Sequence, residues 1–490
     1  MEGTGTKNIL IATVLIFLFL VIWQLFIFKP KVQQTPEKRP VEEKAVPTVT
    51  TERPLIEGLD STIFVETPLY IAKISKKGGA IVSFHLKKYK TSEGNPVNLV
   101  KKGGALLYSP DKFFEFAGSD TIKVDQIVEL VLTDTVDSTI KRYVFDPSSM
   151  LVGLTVESKK PSLLVSAGGL NFTEKSRKEE ERYYSFLLKN DKLKKISIKK
   201  LKEIKKYPLD NLRWFGVRTK YFLFATIPTT KEGVVEFQSK PEAITFSTPA
   251  LKKEFKVYVG PIDYFILKKI GYDLSSVYEF GFFLIRPFSM GILFLLRFLH
   301  SFIPNYGWIL VIFALMMKIV FFPLSRKSIS SMKRMQELKP KIDALQKIYK
   351  NDPQKLQKEM MELYKKYKVN PFSGCLTLIV QLPIFWALYQ ILRTTIDLRG
   401  APFIFWIKDL SAKDPYYILP ILMGLTSILL SRVQGTAKDP QSKMFAYFMP
   451  IFLTLIFLSF PSGIVLYWLT FNVLGVLEML LIKRLEVRHD

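Results

Sequence analysis

Only one cysteine, Cys375, occurs in the 490 residues, so no disulfide can form within the chain. A lone thiol in an apolar run behaves as a small hydrophobe rather than a nucleophile. Histidine is almost as scarce. His85, His300 and His489 are scattered outside the longest apolar runs, so a paired-histidine zinc helix is excluded. No G-x-S-x-G elbow, no P-loop and no paired aspartates within apolar runs are present. These absences remove the usual hydrolase, nucleotidase and intramembrane protease readings, and no metal or cofactor is expected; the chain reads as a non-enzyme. Acidic residues are also outnumbered, 44 against 70 basic ones. The formal charge of +26 suits nucleic acid, anionic lipid or cytoplasmic loops of a membrane protein, and its distribution must decide. Apolar residues, by contrast, are abundant. At 48% hydrophobic content and a mean hydropathy of +0.16, the chain is too apolar for a soluble protein of this length.

The first apolar run, Ile9 to Phe28, has twenty uncharged residues, enough for roughly 30 Å of hydrocarbon. It ends in Phe26, Ile27 and Phe28 rather than small residues, so residues 1–28 read as a retained anchor. Residues 29–54 are rich in Pro, Glu, Lys and Thr, and Pro30, Pro36, Pro40, Pro47 and Pro54 make them a semi-extended linker. Beyond it, period-two segments recur: Val82, Phe84, Leu86; Val152, Leu154, Val156; Phe255, Val257, Val259. Turn clusters such as Lys77-Gly78-Gly79 separate them. Residues 55–262 are therefore predicted to form an all-β sandwich, interrupted by a charged helical stretch from Glu174 to Lys206.

Five further apolar runs, Trp308–Pro323, Leu376–Leu392, Tyr417–Leu430, Met444–Phe460 and Gly463–Ile482, predict a transmembrane bundle within residues 305–484. Phe280–Phe302 is also apolar, but Arg286 and Arg297 lie inside it and Pro287 interrupts it. That region, 275–304, reads as an amphipathic interfacial helix. The loop at 324–370 holds thirteen basic against five acidic residues, a net charge of +8, and is predicted to be cytoplasmic. Arg432, Lys438 and Lys443, and Lys483, Arg484 and Arg488 near the short tail 485–490, follow the same asymmetry. Lys29 and Lys31 after the first span outnumber Lys7 before it, but the later loops carry the larger bias. The expected topology is six spans with both termini cytoplasmic and the β domain outside.

Within the basic loop, Met335, Leu338, Ile342, Leu345 and Tyr349 form one stripe and Leu356, Met360 and Leu363 a second, joined by Asn351-Asp352-Pro353. This predicts a helical hairpin with Asp352 as N-cap and Pro353 in the first turn, either a plain connector or a docking device for acidic surfaces. Lys318 is the most informative single residue. A cation in a span faces a polar interior or snorkels, and Lys318 lies only five residues before Pro323. Glu478, at similar depth on the last span, can neutralise it. Gln381, Thr426, Ser427, Ser431, Thr454, Thr470 and Asn472 add polar groups compatible with a hydrophilic groove.

Four stretches are similar to the YidC membrane protein insertase family: NPFSGCLTLIVQLPIFWALYQIL from Asn370, DLSAKDPYYILPILMGLTS from Asp409, FPSGIVLYWLTFN from Phe460, and the lysine-bearing span ending FFPLS at Ser325. The resemblance is strong from about Tyr278 to Arg484, and the anchor and β domain match the form with a large periplasmic domain. It implies a five-helix core with a positively charged groove open to cytoplasm and lipid, closed outside, and a β-supersandwich in the periplasm. It implies Lys318 at the position of the family's groove arginine and Trp468 at that of a groove aromatic, with Tyr467, Thr470, Asn472, Gln381 and Ser431 lining the groove. Ser431 and Glu478 depart from the glutamines seen in relatives. Expected partners are nascent membrane proteins, the ribosome, the Sec translocon, the signal recognition particle with its receptor, and the lipid bilayer. A solute transporter, which predicts repeats and coupling carboxylates, and a periplasmic carbohydrate sensor are the rival readings.

Overall fold

The computed structural model describes residues 61–487 apart from 92, 175, 368, 370–372 and 435–439. The expected anchor, the linker, the start of the β domain at 55–60 and the last three residues lie outside them. Two units are distinct: Leu295–Trp386 with Lys413–Asp490, and Thr51–Phe294 with Ala387–Ala412.

The second unit is built on two large sheets. One runs β14 (Lys205–Pro208), β17 (Val234–Ser239), β18 (Glu242–Thr248), β11 (Ser162–Ala167), β5 (Ala105–Tyr108), β3 (Ala80–Lys90), β2 (Tyr70–Ser75), β1 (Thr62–Glu66), β7 (Thr121–Lys123), with β4 (Pro96–Asn98) beside β3. The other runs β13 (Leu193–Ser197), β12 (Ser185–Lys189), β15 (Trp214–Arg218), β16 (Phe222–Pro228), β19 (Lys252–Pro261), β10 (Leu151–Glu157), β9 (Ile140–Phe145), β8 (Val128–Asp134), β6 (Phe114–Glu115). All pairings are antiparallel except β1 with β7. Inward residues of the two sheets meet directly. Phe186 on β12 (Ser185–Lys189) lies 5.1 Å from Phe237 on β17 (Val234–Ser239), and Phe255 on β19 lies 4.9 Å from Phe246 on β18 (Glu242–Thr248), ring centre to ring centre. Alternation explains most of this core: Val152, Leu154 and Val156 on β10 (Leu151–Glu157) and Phe255, Val257 and Val259 are all buried. Val82 departs from the pattern. On β3 (Ala80–Lys90) Ser83 faces Lys73 and Ile81 faces Ile74 on β2 (Tyr70–Ser75), so Val82 is the extra residue of a bulge and is only half-buried, while Ser83 turns inward.

The expected long charged helix is short. Among its described residues α1 (Arg177–Tyr183) and a 3-10 turn at Ile198–Lys200 are helical; Ser185–Lys189 is a fully buried strand, and Leu193–Ser197 forms the edge strand β13. Of the lysines that mimic a helical face, Lys194 and Lys195 belong to this edge strand, and Lys194 Nζ stands 4.8 Å from the Tyr207 ring. After the sheets come α2 (Tyr264–Ile270) and α3 (Arg286–His300). Pro287 does not interrupt α3 but sits in its first turn, where its missing N–H costs nothing. The helix buries Ile292, Leu293 and Leu296 and exposes Phe288, Phe294 and Phe298.

The first unit is helical: α4 (Tyr306–Glu337), α5 (Lys339–Ile348), α6 (Pro353–Lys366), the start of α7 (Ser373–Thr394), α8 (Ile418–Val433), α9 (Pro440–Phe457) and α10 (Ser462–Val487). Asn305 caps α4 by accepting from Gly307 and Trp308 N. The helix runs through Pro323 instead of ending there, so the first fourteen residues of the basic segment extend α4. Pro340 restarts the chain as α5, and Asp352 Oδ1 caps α6 by accepting from Lys355 N at 3.0 Å. Two described helices, Tyr306–Glu337 and Ser462–Ile482, are long and apolar enough to cross a membrane; Ile418–Val433 and Ala446–Phe457 are shorter apolar helices. Gly424 lets α8 and α9 touch: a Cβ there would stand 2.2 Å from Thr454 Oγ1.

Candidate functional site

α10 organises the polar interior of the helical unit. Residues four and three apart share a helix face, so Tyr467, Phe471, Gly475 and Glu478 form one line along it. Lys318 on α4 reaches this line: its Nζ lies 3.1 Å from Glu478 Oε2 and 4.2 Å from the Phe471 ring centre. Gly475 stands beneath the ammonium with no side chain to obstruct it. Both charged side chains are largely withdrawn, with 16% of the Lys318 and 10% of the Glu478 side chain exposed. Ion pairs of this kind hold only when geometry is good, because each partner gives up its hydration. Here a short contact to Oε2 and an aromatic face compensate the ammonium, while only one of the two carboxylate oxygens is satisfied among the described residues.

The line continues away from the pair. Phe471 lies 6.0 Å from Tyr467, and the buried Tyr467 hydroxyl accepts from Gln381 Nε2 on α7 at 2.8 Å. On the neighbouring flank of α10, Asn472 donates Nδ2 to Ser427 Oγ at 2.7 Å and to Met423 O at 3.3 Å on α8. Four of the residues singled out in the sequence, Lys318, Glu478, Gln381 and Tyr467, thus join through Phe471, and Asn472 forms a separate bond to α8. The others stand differently. Thr470 returns its hydroxyl to Leu466 O of its own helix, Trp468 packs edge-on against Phe385 at 5.0 Å, and Ser431 is half-buried on α8. The side chain of Cys375 lies outside the described residues.

Sequence reasoning missed Phe471 and Gly475. The available signal was their spacing from Glu478, seven and three residues, which places all three on one face. Large apolar side chains beside the pair, Ile319 and Val320 on α4 and Leu477, Leu480 and Leu481 on α10, are exposed. A charged pair is therefore embedded beside a surface suited to lipid.

A second charged cluster lies in the β unit. Arg218 is 2% exposed and donates to Val277 O and to Glu279 Oε1, both at 3.1 Å, and to Thr219 O. Lys195 also pairs with Glu279, whose backbone carbonyl accepts from Gln390 Nε2 at 2.9 Å near the end of α7. Burial alone would raise the Glu279 carboxyl, but the charges of Arg218 and Lys195 outweigh it and hold it below the usual range. Arg399 pairs with Glu174 and donates to Lys90 O at 2.8 Å. Among the described residues no group of three His, Cys, Asp or Glu could hold a metal ion.

Two family sequence models match the chain: "60Kd inner membrane protein" over residues 298–489 and "YidC periplasmic domain" over residues 62–290. A "Membrane protein insertase YidC" of Syntrophus aciditrophicus (strain SB) is 33% identical over 96% of this chain and 98% of its own length. Its namesake in Citrifermentans bemidjiense is 33% identical over 86% of this chain and 85% of its own. Among solved structures, "Active YidC insertase crystal structure with the first transmembrane domain resolved" is 18% identical with a TM-score of 0.42, over 85% of this chain and 92% of that one.

Proposed function

This chain belongs to the YidC membrane protein insertase family, and from that premise we propose that it inserts other proteins into the inner membrane along the polar line of α10 and the Lys318–Glu478 pair. The family's work is insertion, not enzymatic turnover. The observation that carries the mechanism is an ammonium and a carboxylate 3.1 Å apart between helices whose neighbouring surface is apolar. A charge or polar segment alone in hydrocarbon is costly, and fixed polar groups at depth lower that cost. A short polar segment of an incoming protein is received beside Lys318, Gln381, Tyr467 and Asn472, while its apolar helix moves into lipid. Hydrophobic transfer drives the step, and the membrane potential assists acidic tails.

Around this track the proposal places six spans including the anchor at 1–28, the linker at 29–54, the β domain at 55–262 in the periplasm, the interfacial helix region at 275–304, the core at 305–484, and both termini in the cytoplasm. The basic segment 324–370, which has a net charge of +8 and contains the hairpin of α5 and α6, projects into the cytoplasm, where the ribosome's phosphate-rich surface is its natural counterpart. Nascent membrane proteins reach the track from the ribosome, from the signal recognition particle and its receptor, or from the Sec translocon. Trp468, Thr470 and Ser431 line the substrate's path. The test is insertion of a labelled single-span protein into liposomes holding only this purified chain, read by protease protection. Insertion no better than in protein-free liposomes overturns the proposal.

A further inference from the structure

The Glu478 carboxylate is only half used. Oε2 meets Lys318, whereas Oε1 is buried and has no hydrogen-bond partner among the described residues. A carboxylate oxygen held in apolar surroundings without a donor is an expensive arrangement, and it leaves a covered, unpartnered acceptor next to the Lys318 contact, which a segment entering between the helices would uncover. Lys318, in turn, divides its charge between Glu478 and the face of Phe471. Both signs are thus kept at one depth, 3.1 Å apart.

A groove holding a lone cation attracts acidic segments and repels basic ones. A neutral pair does neither at a distance, yet offers a counter-charge to each at close range. Resting on the track proposed above, we infer that Glu478 is a second specificity-determining group, which receives the ammonium or guanidinium of a basic residue in the segment being moved. A substrate lysine at Oε1 completes a cation–carboxylate–cation row with Lys318. A substrate carboxylate at Lys318 completes the opposite row with Glu478. The track consequently accepts short polar segments carrying a single charge of either sign.

The test uses the full-length protein in liposomes with no membrane potential imposed, and three single-span substrates that differ only in one tail residue, Asp, Asn or Lys. Insertion is expressed relative to the Asn tail on the same preparation, so that a general loss of folded protein cancels. Glu478→Gln should lower the Lys/Asn ratio about tenfold, the equivalent of roughly 1.4 kcal/mol, without lowering the Asp/Asn ratio. Glu478→Asp, which keeps the carboxylate, should restore most of the Lys-tail insertion. A Lys/Asn ratio unchanged in Glu478→Gln overturns this inference and leaves the track reading intact. An Asp/Asn ratio unchanged in Lys318→Gln overturns the track reading itself.

Discussion

Gly475 on α10 faces the Lys318 ammonium so closely that a Cβ at its position would stand 3.0 Å from Nζ, with the Leu430 methyls at 3.3 Å. The gap lets the lysine cross to Glu478. Because the obstructed atom is the end of a flexible stem, Gly475→Ala should be accommodated at a cost under about 1 kcal/mol. Gly475→Leu should wedge the pair apart and cost about 1 to 3 kcal/mol, the usual range for overpacking. Thermal unfolding in detergent measures both. Equal melting temperatures for the Leu variant and the parent would mean that Gly475 is not the floor of the lysine's seat.

Acid should weaken the β unit through Glu279. Its folded-state pKa is depressed, so its contribution is present at neutral pH and is lost as pH falls through that lowered value. Glu279→Gln leaves the buried Arg218 guanidinium without its counter-charge, and breaking such a pair costs about 3 to 5 kcal/mol. The three backbone carbonyls that Arg218 keeps favour the lower end. The melting-temperature gap between parent and variant should be widest near neutral pH and narrow in acid. A gap that widens in acid would reverse the sign and refute the account.

Glu180 should act in the opposite direction. Burial and the nearby Glu174 charge push it up to about 7, despite hydrogen bonds from Thr173. A carboxyl raised in the folded state is fully favourable below its unfolded value, and that stability is lost as pH rises through about 7. The parent should therefore gain stability from pH 8 to pH 5 relative to Glu180→Gln, which cannot titrate. Parallel melting curves across that range would show that Glu180 stays ionised.

What the sequence made legible, and what it hid, follows from periodicity. Val152, Leu154 and Val156 alternate, so their strand is readable without a structure. A bulge adds one residue and shifts the phase, which is why Val82 falls out of line while Phe84 and Leu86 stay inside. Lys194 and Lys195 imitate a solvated helix face because long stems tolerate an edge strand equally well. In the helical unit, depth along a span is countable. Lys318 and Glu478 could be matched because each precedes a landmark, Pro323 or Lys483, by five residues. Azimuth is not countable from one sequence. Nothing in the chain announces that Trp468 turns to Phe385 and Phe457, or that Asn472 finds Ser427.

Removing residues 55–250 should cost stability before it costs insertion. The deletion takes away Glu174 and Lys90, the partners of Arg399, and Arg218, the partner of Glu279, but no residue of the α10 line. Arg399, with 6% of its side chain exposed in the intact protein, loses its counter-charge. The truncated chain should melt at a lower temperature yet insert substrates below that temperature, and Arg399→Gln should recover part of the loss. Abolished insertion by folded truncated protein would place essential residues in the β domain.

The Lys318–Glu478 pair supports two expectations that one set of variants separates. If the cation serves incoming segments, Lys318→Arg should be tolerated, since charge and reach are kept, and the double variant Lys318→Gln, Glu478→Gln should insert acidic-tailed substrates poorly. Removing both charges avoids stranding either one, so that variant should lose less stability than Lys318→Ala, which leaves one buried charge without its partner. Lys318→Ala alone strands Glu478, and a loss of about 3 to 5 kcal/mol would then accompany the loss of activity. If the pair is only structural, the order inverts. The neutral double variant would insert acidic tails as well as the parent, and the exchanged pair Lys318→Glu, Glu478→Lys would restore both melting temperature and insertion. Measuring melting temperature and insertion rate on all four proteins decides. Full insertion of acidic tails by the stable, uncharged double variant would end the case for Lys318 as the residue that receives the substrate's charge.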